Sequence, residues 1–267
     1  MRIGFIGLGI MGKPMASHLM TAGHSLYSCT NVSDIHPDLL AQGLHICESP
    51  AAVAEKSDVN FTMLPDTTDV EKVLLGENGI LSVIGAGKVI VDMSSISPTE
   101  TIRFAYQANE AGCEYLDAPV SGGQSGGEAA SMTIMVGGNP KTFEQIKPLF
   151  TLLGKNITRV GDIGTGQICK IANQIIVANN IEAVAEALVL VSRAGADPEL
   201  ARQALMGGSA GSRVLEKQAK RMINRQFEPG FRVDLHRKDL KLALNTAQEL
   251  NLSLPNTAAT LQLLNSC

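Results

Sequence analysis

A chain of 267 residues, 45% hydrophobic and 18% charged, can build two cored domains without disulfides or metal to brace them. Its formal net charge of −4 argues against a general nucleic-acid or membrane-surface binder, so an anionic ligand must be drawn by local groups. The five cysteines (Cys29, Cys47, Cys113, Cys169, Cys267) are scattered and contain no C-x-x-C pair. That is the pattern of reduced thiols in a cytoplasmic protein, not of a disulfide frame or a zinc site.

The chain opens MRIGFIGLGIMG, with one basic residue and an apolar run broken by glycines. No small-residue cleavage pattern follows, so a signal peptide is not expected. No uninterrupted apolar stretch approaches about 18 residues, and no membrane span is expected. Residues 3–6 read as a strand and 9–22 as the helix after it, with a second strand at 25–30. Further short apolar runs at 59–64, 89–93 and 115–118 are each bounded by Pro, Gly, Asp or Ser. Helical stretches separate them, including 97–112 with its Ser-Pro start and Gly-Cys end. Strands alternating with helices predict a parallel, doubly wound sheet, which 133–136 and 157–160 are placed to extend.

The texture changes near Gly161. Residues 167–194 form one apolar-rich segment without Gly or Pro, apolar around most of its circumference. Such a helix is expected to be buried in a core or in a subunit contact. After Gly195 the pattern is helical throughout, punctuated by Asp197-Pro198 and Pro229-Gly230. The fold expected is therefore α/β: a Rossmann-like doubly wound domain over 1–162, then an all-helical domain over 163–267.

Four segments carry chemistry. Gly7-Leu8-Gly9-Ile10-Met11-Gly12 directly follows the first strand and opens a helix. Gly7 permits the tight turn, Gly9 lets backbone approach a pyrophosphate, and Gly12 allows close helix–strand packing. The helix N-terminus offers free N–H groups to the phosphates. The acidic partner for the adenosine ribose belongs about 20 residues on. There the chain reads Thr30-Asn31-Val32-Ser33, neither an acid nor an arginine, with Asp34 assigned to the following loop. NAD(H) and NADP(H) both stay open. The second segment, Asp117-Ala118-Pro119-Val120-Ser121-Gly122-Gly123, offers a hydroxyl and adjacent backbone N–H donors suited to a carboxylate; its bland alternative is a flexible turn.

In the third, Lys170, Asn173 and Gln174 share one helical face at i, i+3 and i+4. A lysine amid Ile168, Cys169, Ile171 and Ala172 is either desolvated, with its pKa lowered to suit proton transfer, or a stem snorkelling to solvent. The fourth, Asp234-Leu235-His236-Arg237-Lys238-Asp239-Leu240, reads as a solvated charged face. No second ligand stands at metal spacing from His236, so no metal site is expected.

Together and in this order, these segments resemble the β-hydroxyacid dehydrogenase family. The resemblance spans nearly the whole chain: GFIGLGIMGKPM, MLPD at Met63 to Asp66, DMSSISP at Asp92 to Pro98, DAPVSGG, CKIANQIIVANNIEA and PGFRVDLHRKDL. It implies a helical second domain of the 6-phosphogluconate dehydrogenase C-terminal type. It implies cofactor contacts from Gly7, Leu8, Gly9, Ile10, Met11, Gly12, Asn31, Leu64, Pro65, Ser95 and Lys238. Substrate contacts are implied for Ser95, Ser121, Gly122, Gly123, Lys170, Asn173 and Gln174, with Lys170 and Asn173 catalytic. Family chains carry a second asparagine where this one has Gln174, and continue past Cys267 with a further helix or two. This chain is thus either truncated there or closes its helical domain differently.

The activity implied is hydride transfer between NAD(P)H and a small carboxylate-bearing aldehyde, above all tartronate semialdehyde (2-hydroxy-3-oxopropanoate) going to D-glycerate. The same chemistry on 3-hydroxyisobutyrate, 4-hydroxybutyrate, succinic semialdehyde or glyoxylate is the nearest alternative. A non-catalytic dinucleotide-binding interaction module is the alternative from another class, and retention of Lys170 with Asn173 argues against it. A homodimer or homotetramer is implied, with no nucleic-acid or membrane partner.

Overall fold

The computed structural model describes residues 1–30, 35–228 and 230–267. Two compact units divide the chain, Met1–Lys170 and Ile171–Cys267.

The first unit alternates strands with helices. Its strands are β1 (Arg2–Ile6), β2 (Ser25–Cys29), β3 (His45–Cys47), β4 (Val59–Thr62), β5 (Val89–Asp92) and β6 (Glu114–Asp117), then β7 (Val120–Ser121), β8 (Met132–Gly138) and β9 (Gly154–Gly161). Its helices are α1 (Gly12–Thr21), α2 (Pro37–Ala41), α3 (Pro50–Lys56), α4 (Thr67–Leu75), α5 (Pro98–Glu110), α6 (Gly123–Glu128) and α7 (Pro140–Phe150). Among the described residues all nine strands join one sheet, ordered β3-β2-β1-β4-β5-β6-β8-β7, with β9 on β8. The first six are parallel in the order of a doubly wound nucleotide-binding fold, and the topology reverses between β1 and β4.

Every residue of β4 and β5 is buried, the polar Asn60, Thr62 and Asp92 included, as expected for strands covered on both faces. Alternate side chains feed opposite cores. Ile3, Phe5, Val89 and Val91 pack on one face; Ile6, Ile90, Phe104 and Tyr115 pack on the other. Helix starts are fixed by side-chain caps: Ser49 accepts from the Ala52 N–H, Asp66 from Thr67 and Ser97 from Glu100.

Two features depart from the sequence expectation. β8 runs antiparallel to β6, because the short passage through β7 and α6 supplies no crossover helix to return it parallel. β3 is an added edge strand of three residues with two exposed, too short to be read from periodicity.

α8 (Thr165–Arg193) runs from the last residues of the first unit into the second, which continues with α9 (Pro198–Met206), α10 (Arg213–Ile223), α11 (Val233–Glu249) and α12 (Pro255–Asn265). The second unit has small cores, one around Ala178, Leu240 and Leu261 and one around Leu188, Leu215 and Ala219. Burial of α8 within the chain is not what the structure shows: Ile176, Val189 and Leu190 are 62%, 62% and 71% exposed. α8 is also long and apolar enough to cross a membrane by length and composition, an outcome the count of uninterrupted apolar residues does not anticipate. Gln167, Gln174 and Asn179 on it are nevertheless hydrogen-bonded to protein partners, as in a helix that packs on protein.

Candidate active site

The glycine loop between β1 and α1 has the shape the spacing requires. Gly7 sits at φ +99°, and a side chain there would begin 2.3 Å from the Met63 carbonyl oxygen. At Gly12 a Cβ would lie 1.8 Å from the Gly7 carbonyl oxygen, so only glycine lets α1 start this close to the turn. Gly9 is different: it is exposed, and nothing lies within 4 Å of its Cβ position. That open space, with the N-terminus of α1 carrying no side-chain cap, fits a pyrophosphate. Leu8 and Leu64 are buried beside the loop, Met11 is half-buried, and Ile10 and Pro65 are exposed. Asn31, the expected ribose contact, and Asp34 lie outside the described residues.

The carboxyl ends of β4, β5 and β6 hold the next group. The Leu64 N–H donates to the Ser94 hydroxyl at 2.9 Å, and Ser95 is half-buried just beyond. At the end of β7, Ser121 is half-buried, and Gly122 and Gly123 beyond it are exposed at φ +147° and +62°. The backbone there takes conformations that only glycine adopts without strain, leaving Ser121 beside uncovered amide backbone.

Beneath these segments lie two carboxylates the sequence reading did not single out for a role. Asp92 and Asp117 are register partners at the ends of β5 and β6, and both are fully buried. Asp92 accepts from the Thr62 hydroxyl at 2.8 Å, the Ser94 N–H at 3.1 Å and the Tyr115 hydroxyl at 3.3 Å. Burial raises its pKa, and those donors pull it back. Asp117 accepts from the Gly164 N–H at 2.9 Å and the Gln167 N–H at 2.8 Å. Burial pushes its carboxyl up to about 6, against the pull of those two N–H groups. The signal available in sequence is an acid closing each of two short strands, VIVD and EYLD.

Gln167, in the first turn of α8, is buried too. Its amide donates to the Ser94 carbonyl at 2.8 Å and accepts from the Ile96 N–H at 3.1 Å. Lys170, one turn further, is 9% exposed, so its side chain does not snorkel to solvent.

In the second unit, Asn173 is half-buried and donates to the Gln174 side-chain oxygen at 2.8 Å. Gln174 in turn donates to Asp239 at 2.6 Å. The segment from Asp234 to Leu240 is not the solvated face the charge density predicts. α11 turns His236, Asp239 and Leu240 inward, and leaves Asp234 exposed. Helical periodicity puts the three on one stripe, and their burial against α8 is what charge counting misses. Lys238 follows with its Nζ 3.3 Å from the Asp239 carboxylate.

A parallel sheet in this order, a glycine loop opening α1, and polar groups gathered at the strand ends define a dinucleotide-binding protein. Known proteins agree. The family described as the NAD binding domain of 6-phosphogluconate dehydrogenase matches residues 2–161. The one described as NAD-binding of NADP-dependent 3-hydroxyisobutyrate dehydrogenase matches 164–267. The chain is 58% identical over 267 residues to the 2-hydroxy-3-oxopropionate reductase of Escherichia coli (strain K12), covering 100% of this chain and 91% of that one. It is 44% identical over 263 residues to the 2-(hydroxymethyl)glutarate dehydrogenase of Eubacterium barkeri, covering 98% and 87%. The solved 3-hydroxyisobutyrate dehydrogenase of Mycobacterium tuberculosis with L-serine matches with TM-score 0.88 at 30% identity, covering 99% of this chain and 92% of that one. This chain belongs to the β-hydroxyacid dehydrogenase family, the enzymes related to 3-hydroxyisobutyrate dehydrogenase, and is an NAD(P)-dependent hydroxyacid oxidoreductase.

Proposed function

We propose that this enzyme reduces tartronate semialdehyde to D-glycerate, with Lys170 as the proton donor. The observation that carries the substrate is 58% identity, over the whole chain, to a 2-hydroxy-3-oxopropionate reductase. The observation that carries the donor is a buried lysine in the first turns of α8, followed one turn on by an amide pair.

In this reading the Ser121 hydroxyl and the Gly122 and Gly123 amides hold the substrate carboxylate, with Ser95 beside them. Gly7, Leu8, Gly9, Ile10, Met11 and Gly12 hold the cofactor phosphates. Asn31, Leu64, Pro65, Ser95 and Lys238 complete the cofactor contacts. A reduced nicotinamide held there would supply the hydride that the aldehyde carbon takes up. The carbonyl electron pair moves onto oxygen, where the Lys170 ammonium stabilises the developing charge and donates its proton. Lys170 is left neutral and is recharged from solvent. Asn173 orients the substrate oxygen, and Gln174 holds Asn173.

Lys170→Ala tests this directly. Turnover is expected to fall by about 100- to 10,000-fold with cofactor binding intact, and unchanged turnover would remove Lys170 from the mechanism. Initial rates on tartronate semialdehyde, succinic semialdehyde, glyoxylate and 3-hydroxyisobutyrate, each with both cofactors, test the substrate. A panel led by another of these would replace it.

The exposed apolar residues Ile176, Val189 and Leu190 of α8 are assigned to a contact with a second copy of the chain, in a homodimer or homotetramer. Light scattering that reports a folded monomer would contradict this. No disulfide joins the cysteines among the described residues, which agrees with a place in the cytoplasm, where thiols stay reduced.

A further inference from the structure

We propose that Asp117 and Gln167 are positioning residues for Lys170, fastening the first turn of α8 to the two segments that carry Ser95 and Ser121. The inference rests on the reading above, in which those three residues act on the substrate.

Asp117 closes β6, and the chain leaves it straight into the segment bearing Ser121. Both of its carboxylate oxygens are taken up by the start of α8, Oδ1 by the Gly164 N–H and Oδ2 by the Gln167 N–H. A carboxylate at a helix N-terminus satisfies N–H groups that have no partner inside the helix and meets the positive end of its dipole. The surroundings leave that carboxylate one position. A Cβ at Gly137 would lie 2.4 Å from Oδ1, and one at Gly166 would lie 2.7 Å from Oδ2. Gly164 takes φ +86°, which presents its N–H to Asp117 at little conformational cost.

Gln167 makes the second attachment. Its side chain spans Ser94 and Ile96, donating to one backbone group and accepting from the other, so it brackets Ser95 from both sides. Asp117, Gln167 and Ser94 are all fully buried, so water does not replace a lost bond. Lys170 sits three residues beyond Gln167, and a rotation or slide of that first turn moves its amine directly. An error of about 1 Å in such a group is worth about 100-fold in rate.

The test compares Gln167→Met, which keeps volume and removes both side-chain bonds, with Gln167→Glu, which keeps the acceptor for Ile96 and loses the donor to Ser94. Asp117→Asn and Lys170→Ala are run beside them, on tartronate semialdehyde with NADPH and NADH. For Gln167→Met, kcat is expected to fall by about 100-fold with cofactor Kd unchanged, and Gln167→Glu is expected to recover part of the loss. Wild-type kcat in Gln167→Met, with Lys170→Ala inactive, would overturn the positioning role alone. So would a loss of cofactor binding equal to the loss of kcat. Full turnover in Lys170→Ala would instead sink the reading beneath it. Should the variants fail to fold, amide exchange in the wild-type protein decides. The Gly164 and Gln167 amides must exchange more slowly than that of Asn256, in the first turn of a helix with no side-chain cap. Equal rates would overturn the proposal.

Discussion

The Gln174 side-chain amide donates to the Asp239 carboxylate at 2.6 Å, a bond between two buried residues that ties α8 to α11. The other Asp239 oxygen has no hydrogen bond and relies on the Lys238 ammonium 3.3 Å away. Shortening the side chain by one methylene, in Gln174→Asn, withdraws the donor and leaves a buried carboxylate undersatisfied. A loss of about 1–3 kcal/mol is expected, read as a lower urea midpoint with an unchanged slope. An unchanged midpoint would mean that asparagine reaches Asp239 as well as glutamine does.

The glycine loop separates folding from binding. Gly9→Ala meets nothing within 4 Å, so thermal stability should stay near wild type while cofactor affinity falls, because the new methyl occupies the space read as the pyrophosphate position. Gly12→Ala drives a Cβ into the Gly7 carbonyl and should destabilise the protein whether or not cofactor is added. Calorimetry and a fluorescence titration with NADPH distinguish the two. Equal behaviour of both variants would refute the assignment.

Asp117 gives stability a pH dependence. Its folded pKa, raised to about 6, exceeds that of an unfolded aspartate. The folded state therefore holds the proton more tightly, and this group's contribution is fully present below about pH 4. The contribution is lost as pH rises through about 6, and ionising Asp117 costs the fold about 3 kcal/mol. Urea midpoints for the wild type should therefore fall relative to Asp117→Asn between those pH values. A constant difference across that range would show that the carboxyl titrates normally.

Ser121 is read as a hydrogen-bond donor to the substrate carboxylate, and a bond to a charged group contributes about 1.5–3 kcal/mol. Ser121→Ala should raise KM for the semialdehyde by about 10- to 100-fold and change kcat less. Steady-state kinetics check this, and an unchanged KM would move the carboxylate elsewhere.

Much of this is legible in the sequence. Gly7, Gly9 and Gly12 could be given separate jobs because each answers to backbone within a few residues. β4 and β5 announced themselves as apolar runs, and α8 as a long segment without Gly or Pro. The edge strand β3 is not legible, because three residues, two exposed and one buried, are too few to carry a period. The inward turn of His236 and Asp239 was hidden by charge, which in a linear reading looks like solvent exposure.

The linear order of residues was enough to specify a nucleotide-binding sheet, a helical second half, the glycine loop and the lysine with its following amides. Each of those signals is written within one turn, one strand or one helix period. The three-dimensional fold alone brought Asp117 against the backbone of residues 47 and 50 positions away, and Gln167 against Ser94, 73 positions away. Such pairings depend on which buried donor meets which buried acceptor once the chain has collapsed, and no local period records that.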